Sequence, residues 1–169
     1  KCVMAAGRIS PVKAFDELIK AWKIVSGQFP DWKLHIYGED YLGTKQKLME
    51  LIDSLKLQNS VVFNESVADL PQKMLDYSIY AMSSVTECFP MVLLEALSVG
   101  LPIVSYDCPN GPRNIITDNA DGILVENRNS ENLAKKLMLL MGDETKRLEM
   151  GSNAIKNVKR FDNKTVMDF

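Results

Sequence analysis

The sequence predicts an α/β domain, doubly wound around a Rossmann-like parallel sheet of about six strands. Apolar runs of roughly four to six residues alternate with amphipathic stretches of roughly ten to eighteen, the pattern of repeated βα units. Ser, Asp and Pro stand where amphipathic stretches begin, as helix caps and first-turn residues do. A length of 169 residues with 46% hydrophobic content suits one domain with a substantial core.

In order, strands are expected at residues 2–6, 33–37, 61–63, 79–83, 103–106 and 122–125. After the first strand comes Gly7-Arg8-Ile9-Ser10-Pro11-Val12-Lys13, then Phe15, Leu18, Ile19 and Trp22 at helical spacing. Ser10 reads as the cap and Pro11 as the first helical residue, which places Lys13 in the first turn. A cation there opposes the helix dipole unless an anion is present, so Arg8 and Lys13 are either solvated charges or anion partners. Gly38-Glu39-Asp40 follows the second strand and leads to a helix at 44–55. Val67-Ala68-Asp69 follows the third, with Asp69 before Pro71 as a cap or a pocket residue. Beyond the fifth strand a turn-rich Asp107-Cys108-Pro109-Asn110-Gly111-Pro112 loop precedes a short helical piece at 114–116. Ser130 is expected to cap a helix ending near Met141, and residues 144–159 form another, both with solvated charged faces. In such a sheet the ligand lies beyond the carboxyl ends of the strands.

The stretch from Thr86 to Gly100, TECFPMVLLEALSVG, is the most informative. Pro90 suits a first helical turn and Gly100 before Leu101-Pro102 ends the helix, giving about residues 90–99. The segment is apolar on every side except for Glu95. A carboxylate there needs donors, either from a neighbouring Arg or Lys or from a ligand; the stretch alone fits both. Glu87 precedes the helix, and the free N–H groups from Met91 onward would face an anion between the two acids.

Composition narrows the classes. Lys plus Arg number 20 against 22 Asp plus Glu, a net charge of −2, so no basic surplus points to nucleic acid. Three separated cysteines, no CxxC pair and a single histidine, His35, fit a reducing compartment such as the cytoplasm and argue against a zinc site or a disulfide framework. Cys88 and Cys108 read as buried or semi-buried thiols, and His35 as structural. No apolar run approaches the ~20 residues of a membrane helix, no signal peptide is recognisable, and the glycine order of a dinucleotide-binding dehydrogenase is missing. A first residue Lys1 inside a strand and a closing stretch at 161–169 suggest a domain excised from a longer chain.

GRISPVKAFDELIKAW, HIYGEDY, FNESVADLPQKMLDYSIYAMSS, TECFPMVLLEALSVGLPIVSYDCPNGP and DGILVENRNSENLAKKL, in that order, resemble the C-terminal domain of family 4 glycosyltransferases, also called glycosyltransferase group 1, of the GT-B fold. The most specific part is a glutamate, seven residues and a second glutamate, with GR and a lysine upstream. The resemblance implies the donor-binding half of a retaining transferase. It would move a hexose or N-acetylhexosamine from a nucleotide diphosphate sugar, UDP-linked to judge from the DCPNGP loop, to a glycan or lipid-linked acceptor. No obligatory metal or cofactor is implied, and a missing N-terminal domain would supply most of the acceptor site, with peripheral association at the inner face of the membrane open to the full-length protein.

Carried over position by position, Arg8 and Lys13 would contact the diphosphate and Glu87 the sugar hydroxyls, these three being the catalytic candidates. The backbone of Phe89, Pro90, Met91 and Val92 would lie against sugar and β-phosphate. Glu95 would meet the ribose hydroxyls, Gly38 would border the pocket, and Val67 and Asp69 the base. Ala14 departs from the family's glycine after the lysine, the Gly38 loop lacks a second glycine, and Asn114 replaces a glutamate. Competing readings are a GT-B sugar-nucleotide epimerase and a non-catalytic nucleotide-sugar module. A phosphorylase would need a pyridoxal phosphate lysine, and none lies between Lys73 and Lys135.

Overall fold

The computed structural model describes residues 1–162; most of the closing stretch at 161–169 lies outside the described residues. Six strands form one sheet: β1 Cys2–Ala6, β2 Lys33–Tyr37, β3 Val61–Asn64, β4 Ile79–Met82, β5 Ile103–Tyr106 and β6 Gly122–Val125. Every pairing is parallel, in the order β3-β2-β1-β4-β5-β6. The chain winds outward from β1 to one side and then from β4 to the other. A crevice therefore opens between the carboxyl ends of these two central strands.

Strand alternation divides the core between the two faces. Val3 and Ala5 of β1 and Ile79 and Ala81 of β4 face one layer, where Leu18, Ile19, Trp22 and Val25 of α1 (Phe15–Gln28) meet α2 (Thr44–Ser54) and α6 (Ser130–Gly142). Met4, Tyr80 and Met82 face the other, with Met74 of α3 (Leu70–Met74), Leu93 and Leu97 of α4 (Met91–Ser98) and Ala154 of α7 (Glu144–Asn157). A short α5 (Pro112–Ile115) follows β5. Asp69 caps α3 as expected, accepting from Gln72 N at 3.0 Å, and Gly100 stops the α4 segment with a φ of +70°.

The expected helix start at Pro11 is corrected. Pro11–Lys13 forms a 3-10 turn, Ser10 makes no side-chain cap, and α1 begins only at Phe15 after Ala14 takes a left-handed φ of +45°. The carbonyls that would start the helix are engaged elsewhere: Val12 O accepts from Val85 N at 3.0 Å and Lys13 O from Ser83 Oγ at 2.8 Å. Lys13 thus leaves the first helical turn and is anchored to the loop after β4. Smaller shifts follow the same logic. Asn129, not Ser130, caps α6 by accepting from Asn132 N at 2.9 Å, Pro90 is the cap of α4 rather than its first residue, and the short helical piece begins at Pro112, not Asn114.

Candidate functional site

The predicted residues gather on the loops at the carboxyl ends of β1 to β4. At the centre Tyr80 of β4 is fully buried, and its hydroxyl accepts from Ala6 N at 3.2 Å and donates to Ala6 O at 3.1 Å. This ties the last residue of β1 to β4 where their ladder has ended. Burial raises the Tyr80 pKa, against a smaller lowering by its hydrogen bond with Ala6, and the charges of Glu87 and Glu95 add a little to the rise.

Lys13 and Glu87 meet directly. The ammonium Nζ donates to Glu87 Oε1 at 2.6 Å, with only 23% and 15% of the two side chains exposed, so solvent screens this pair less than a surface one. The lysine stem crosses over Gly7, whose missing Cβ would stand 3.0 Å from Lys13 Cε. On the other side Gly111 of the turn-rich loop abuts Glu87, where an added Cβ would lie 3.0 Å from Glu87 Cβ. Arg113 holds that loop through a two-point ion pair with Asp107.

Arg8 is exposed and stands over the Tyr41 ring, 5.1 Å from its centroid, an attraction between cation and π face. Among the described residues no carboxylate pairs with it. Gly7 N donates to Tyr37 O at 2.9 Å and Ile9 N to Glu39 O at 2.8 Å, which extends the β1–β2 ladder into the loops. Gly38 crosses this junction with a φ of +155°, and a Cβ on it would fall 1.9 Å from Gly7 O. Only glycine allows the two backbones to approach so closely.

Glu95 lies half-buried on α4, between the buried Leu93 and the buried Ala96 and Leu97. Burial raises its pKa, the mark of a carboxylate stripped of part of its water. No hydrogen bond or ion pair reaches its side chain among the described residues, so an internal ion pair is not what holds this acid on an apolar helix. Pro90, Phe89, Met91 and Val92 form the start of the same helix, whose first turn carries no side-chain cap. Phe89 and Met91 are exposed beside it.

A hollow of about 380 Å³ opens where the ends of β1, β2 and β3 converge, walled by Gly7, Arg8, Tyr37, Gly38, Val67 and Leu70 among others. Gly38 and Val67 line it as expected. Asp69 does not: its carboxylate is the cap of α3. A second hollow of about 720 Å³ adjoins on the far side of Arg8, against Lys13, Val12, Tyr41 and Leu42. A third, about 430 Å³, lies at the opposite edge of the sheet between Tyr77, Gly100, Pro102 and the α7 face, away from every predicted residue.

Tyr80 and Tyr41 were not expected at the site. Tyr41 carried a signal, an aromatic in a loop at the ligand edge, whereas Tyr80 in an apolar strand carried none. His35 is structural, as read: its Nδ1 lies 2.7 Å from the Tyr77 hydroxyl, which lies 2.8 Å from that of Tyr37. Cys108 is buried, with its thiol pushed up to about 11 first by burial and then by the Glu87 charge. Cys88 is exposed, against expectation, because it sits on the loop between β4 and α4 rather than on either element. Among the described residues no group of three or more His, Cys, Asp or Glu side chains gathers as a metal site would, and no helix is long and apolar enough to cross a membrane.

The family described as glycosyl transferases group 1 matches residues 1–157. The poly(ribitol-phosphate) α-N-acetylglucosaminyltransferase of Staphylococcus aureus is 32% identical over 159 residues, 94% of this chain and 32% of that protein. A variant of S. aureus TarM, solved in complex with fondaparinux, α-GlcNAc-glycerol and UDP, superposes with a TM-score of 0.92 at 29% identity, over 99% of this chain and 34% of that one. The C-terminal domain of a glycosyl transferase group 1 family protein (LpcC) from Francisella tularensis gives 0.85 at 25% identity, over 95% of this chain and 85% of that one. The chain spans less than half the length of the curated relatives it matches.

Proposed function

The chain belongs to the group 1 glycosyl transferases, and on that premise we propose that it is the donor-binding half of a retaining glycosyltransferase, using a UDP-linked hexose or N-acetylhexosamine. The observation that carries the reading is Glu95: a half-buried carboxylate on an apolar helix, with its pKa raised by burial and no side-chain partner among the described residues. A ribose diol offers two adjacent O–H donors, which is what such a carboxylate lacks. The base then lies in the hollow bordered by Gly38 and Val67. The diphosphate falls between Arg8, Lys13 and the uncapped first turn of α4, and the sugar reaches Glu87 along the backbone of Phe89 to Val92.

Cleavage of the sugar–phosphate bond leaves negative charge on the departing diphosphate. Fixed donors aimed at that charge lower the barrier, and two cations with a helix N-terminus supply them without a metal ion. Retention is supported by the name of the S. aureus relative, an α-transferase, since nucleotide-linked GlcNAc is itself an α-glycoside. A UDP-bearing structure among the similar folds supports the choice of nucleotide. The acceptor, a glycan or lipid-linked glycan, would be held mainly by a further domain across the crevice.

Titration of UDP into the wild-type chain and Glu95→Ala tests the reading. Loss of charge-assisted hydrogen bonds is worth about 1.5–3 kcal/mol, so affinity should fall roughly ten- to hundredfold. Equal affinities would remove the ribose role.

A further inference from the structure

We infer that the Lys13–Glu87 ion pair makes the site select the sugar-bearing nucleotide over the free diphosphate; the inference rests on the donor-binding reading above. In the free chain the two groups satisfy each other at 2.6 Å, both largely shielded from water. Arg8, on the same loop as Lys13, has no such carboxylate partner among the described residues and is exposed beside the Tyr41 ring. An incoming diphosphate therefore meets one cation held only against an aromatic face and one cation already held by a carboxylate.

Drawing Lys13 onto the phosphates strands Glu87. Among the described residues the ammonium is the one side-chain donor that reaches the Glu87 carboxylate; Gly111 packs against its stem, where an added Cβ would lie 3.0 Å from Glu87 Cβ, and the nearby Cys108 thiol, with its pKa raised first by burial and then by the Glu87 charge, is a weak donor. A partly desolvated carboxylate without donors is costly. Sugar hydroxyls remove that cost, because they donate to Glu87 as Lys13 turns away. Free UDP brings phosphate oxygens and no sugar, so it must take Lys13 and leave the acid unsatisfied, or leave Lys13 in place and hold its phosphates by Arg8 and the first turn of α4 without the second cation.

The exchange has two consequences. Sugar-bearing donor binds with both cations on the diphosphate and Glu87 on the sugar. Once the sugar has departed, Glu87 reclaims Lys13 and the product diphosphate is weakened. Selection thus arises from a pair that forms whenever the sugar is absent, in addition to contacts made when it is present.

The experiment compares UDP and UDP-GlcNAc, with UDP-glucose as a second donor, by calorimetric titration into wild type, Glu87→Gln and Glu87→Ala. A melting curve for each variant checks its fold. In both variants UDP should bind about three- to tenfold tighter than in wild type, since Lys13 is released and a negative charge beside the phosphates is gone. UDP-sugar should gain nothing or weaken, so the preference for sugar-bearing donor collapses. A folded variant with unchanged or weaker UDP binding overturns the inference and leaves the donor-binding reading intact. A wild-type chain that binds neither nucleotide overturns the donor-binding reading itself.

Discussion

Replacing Gly38 by alanine tests whether the two loops that carry the candidate phosphate and base contacts are locked backbone to backbone. The new Cβ would stand 1.9 Å from Gly7 O and 2.9 Å from Gly7 C, where real contacts do not fall below 3.0 Å. The loops must part by about 1 Å, and neither side can yield through a flexible side chain because both obstructing atoms are main chain. Parting them weakens Gly7 N to Tyr37 O (2.9 Å) and Gly38 N to Asn64 O (3.1 Å), each worth about 1 kcal/mol. A φ of +155° adds about 1–2 kcal/mol of strain for any residue with a Cβ. The total, about 3 kcal/mol, lowers the melting temperature by about 6–12 °C for a domain of this size. Arg8 follows Gly7 directly, so UDP affinity should fall with stability. Thermal unfolding by circular dichroism and UDP titration read the two effects. A melting temperature within about 2 °C of wild type with unchanged affinity would refute the close approach and its role in placing Arg8.

Two further expectations concern single residues. Ala14 occupies a left-handed conformation with φ of +45°; Ala14→Gly should stay within about 1 kcal/mol of wild type, relief of strain offsetting lost burial and added chain entropy, whereas the β-branched Ala14→Val should cost more than about 2 kcal/mol in urea unfolding. Glu95 has a native pKa raised above the ordinary carboxyl value of 4.5, so its protonated form favours the fold. That contribution is complete below the unfolded pKa and disappears as pH rises through the native one. Glu95→Gln should therefore be more stable than wild type at pH 7, by less than about 1 kcal/mol given the exposure of the group, with no difference near pH 3. Greater stability in wild type at pH 7 would mean that the acid has a partner after all.

Strands were legible because each one is a short apolar run bounded by turn residues, and burial on both faces of a parallel sheet demands that pattern. The observed bounds of all six lie within one residue of those read from the sequence. The start of α1 was not legible, because Ser10-Pro11 has every local feature of a helix N-terminus. What moves the start to Phe15 is a pair of hydrogen bonds from Ser83 and Val85, some seventy residues later in the chain. Local chemistry proposes a helix there, and tertiary bonding engages its first carbonyls. The site divides in the same way. Residue types at the ligand edge could be read off, since the loops past the strand ends border the crevice, although some of their acids, Asp69 among them, serve as helix caps instead. Their partners could not, because Lys13 and Glu87 are 74 positions apart and nothing local in the chain pairs them. Glu95 shows why the distinction matters. Its sequence environment admitted a structural ion pair or a ligand, and among the described residues no ion pair reaches it, which is the state the proposed ribose contact requires. The paired Glu87, by contrast, already has a donor in Lys13, which is why the role in donor binding proposed for it is an exchange of partners rather than the filling of an empty acceptor.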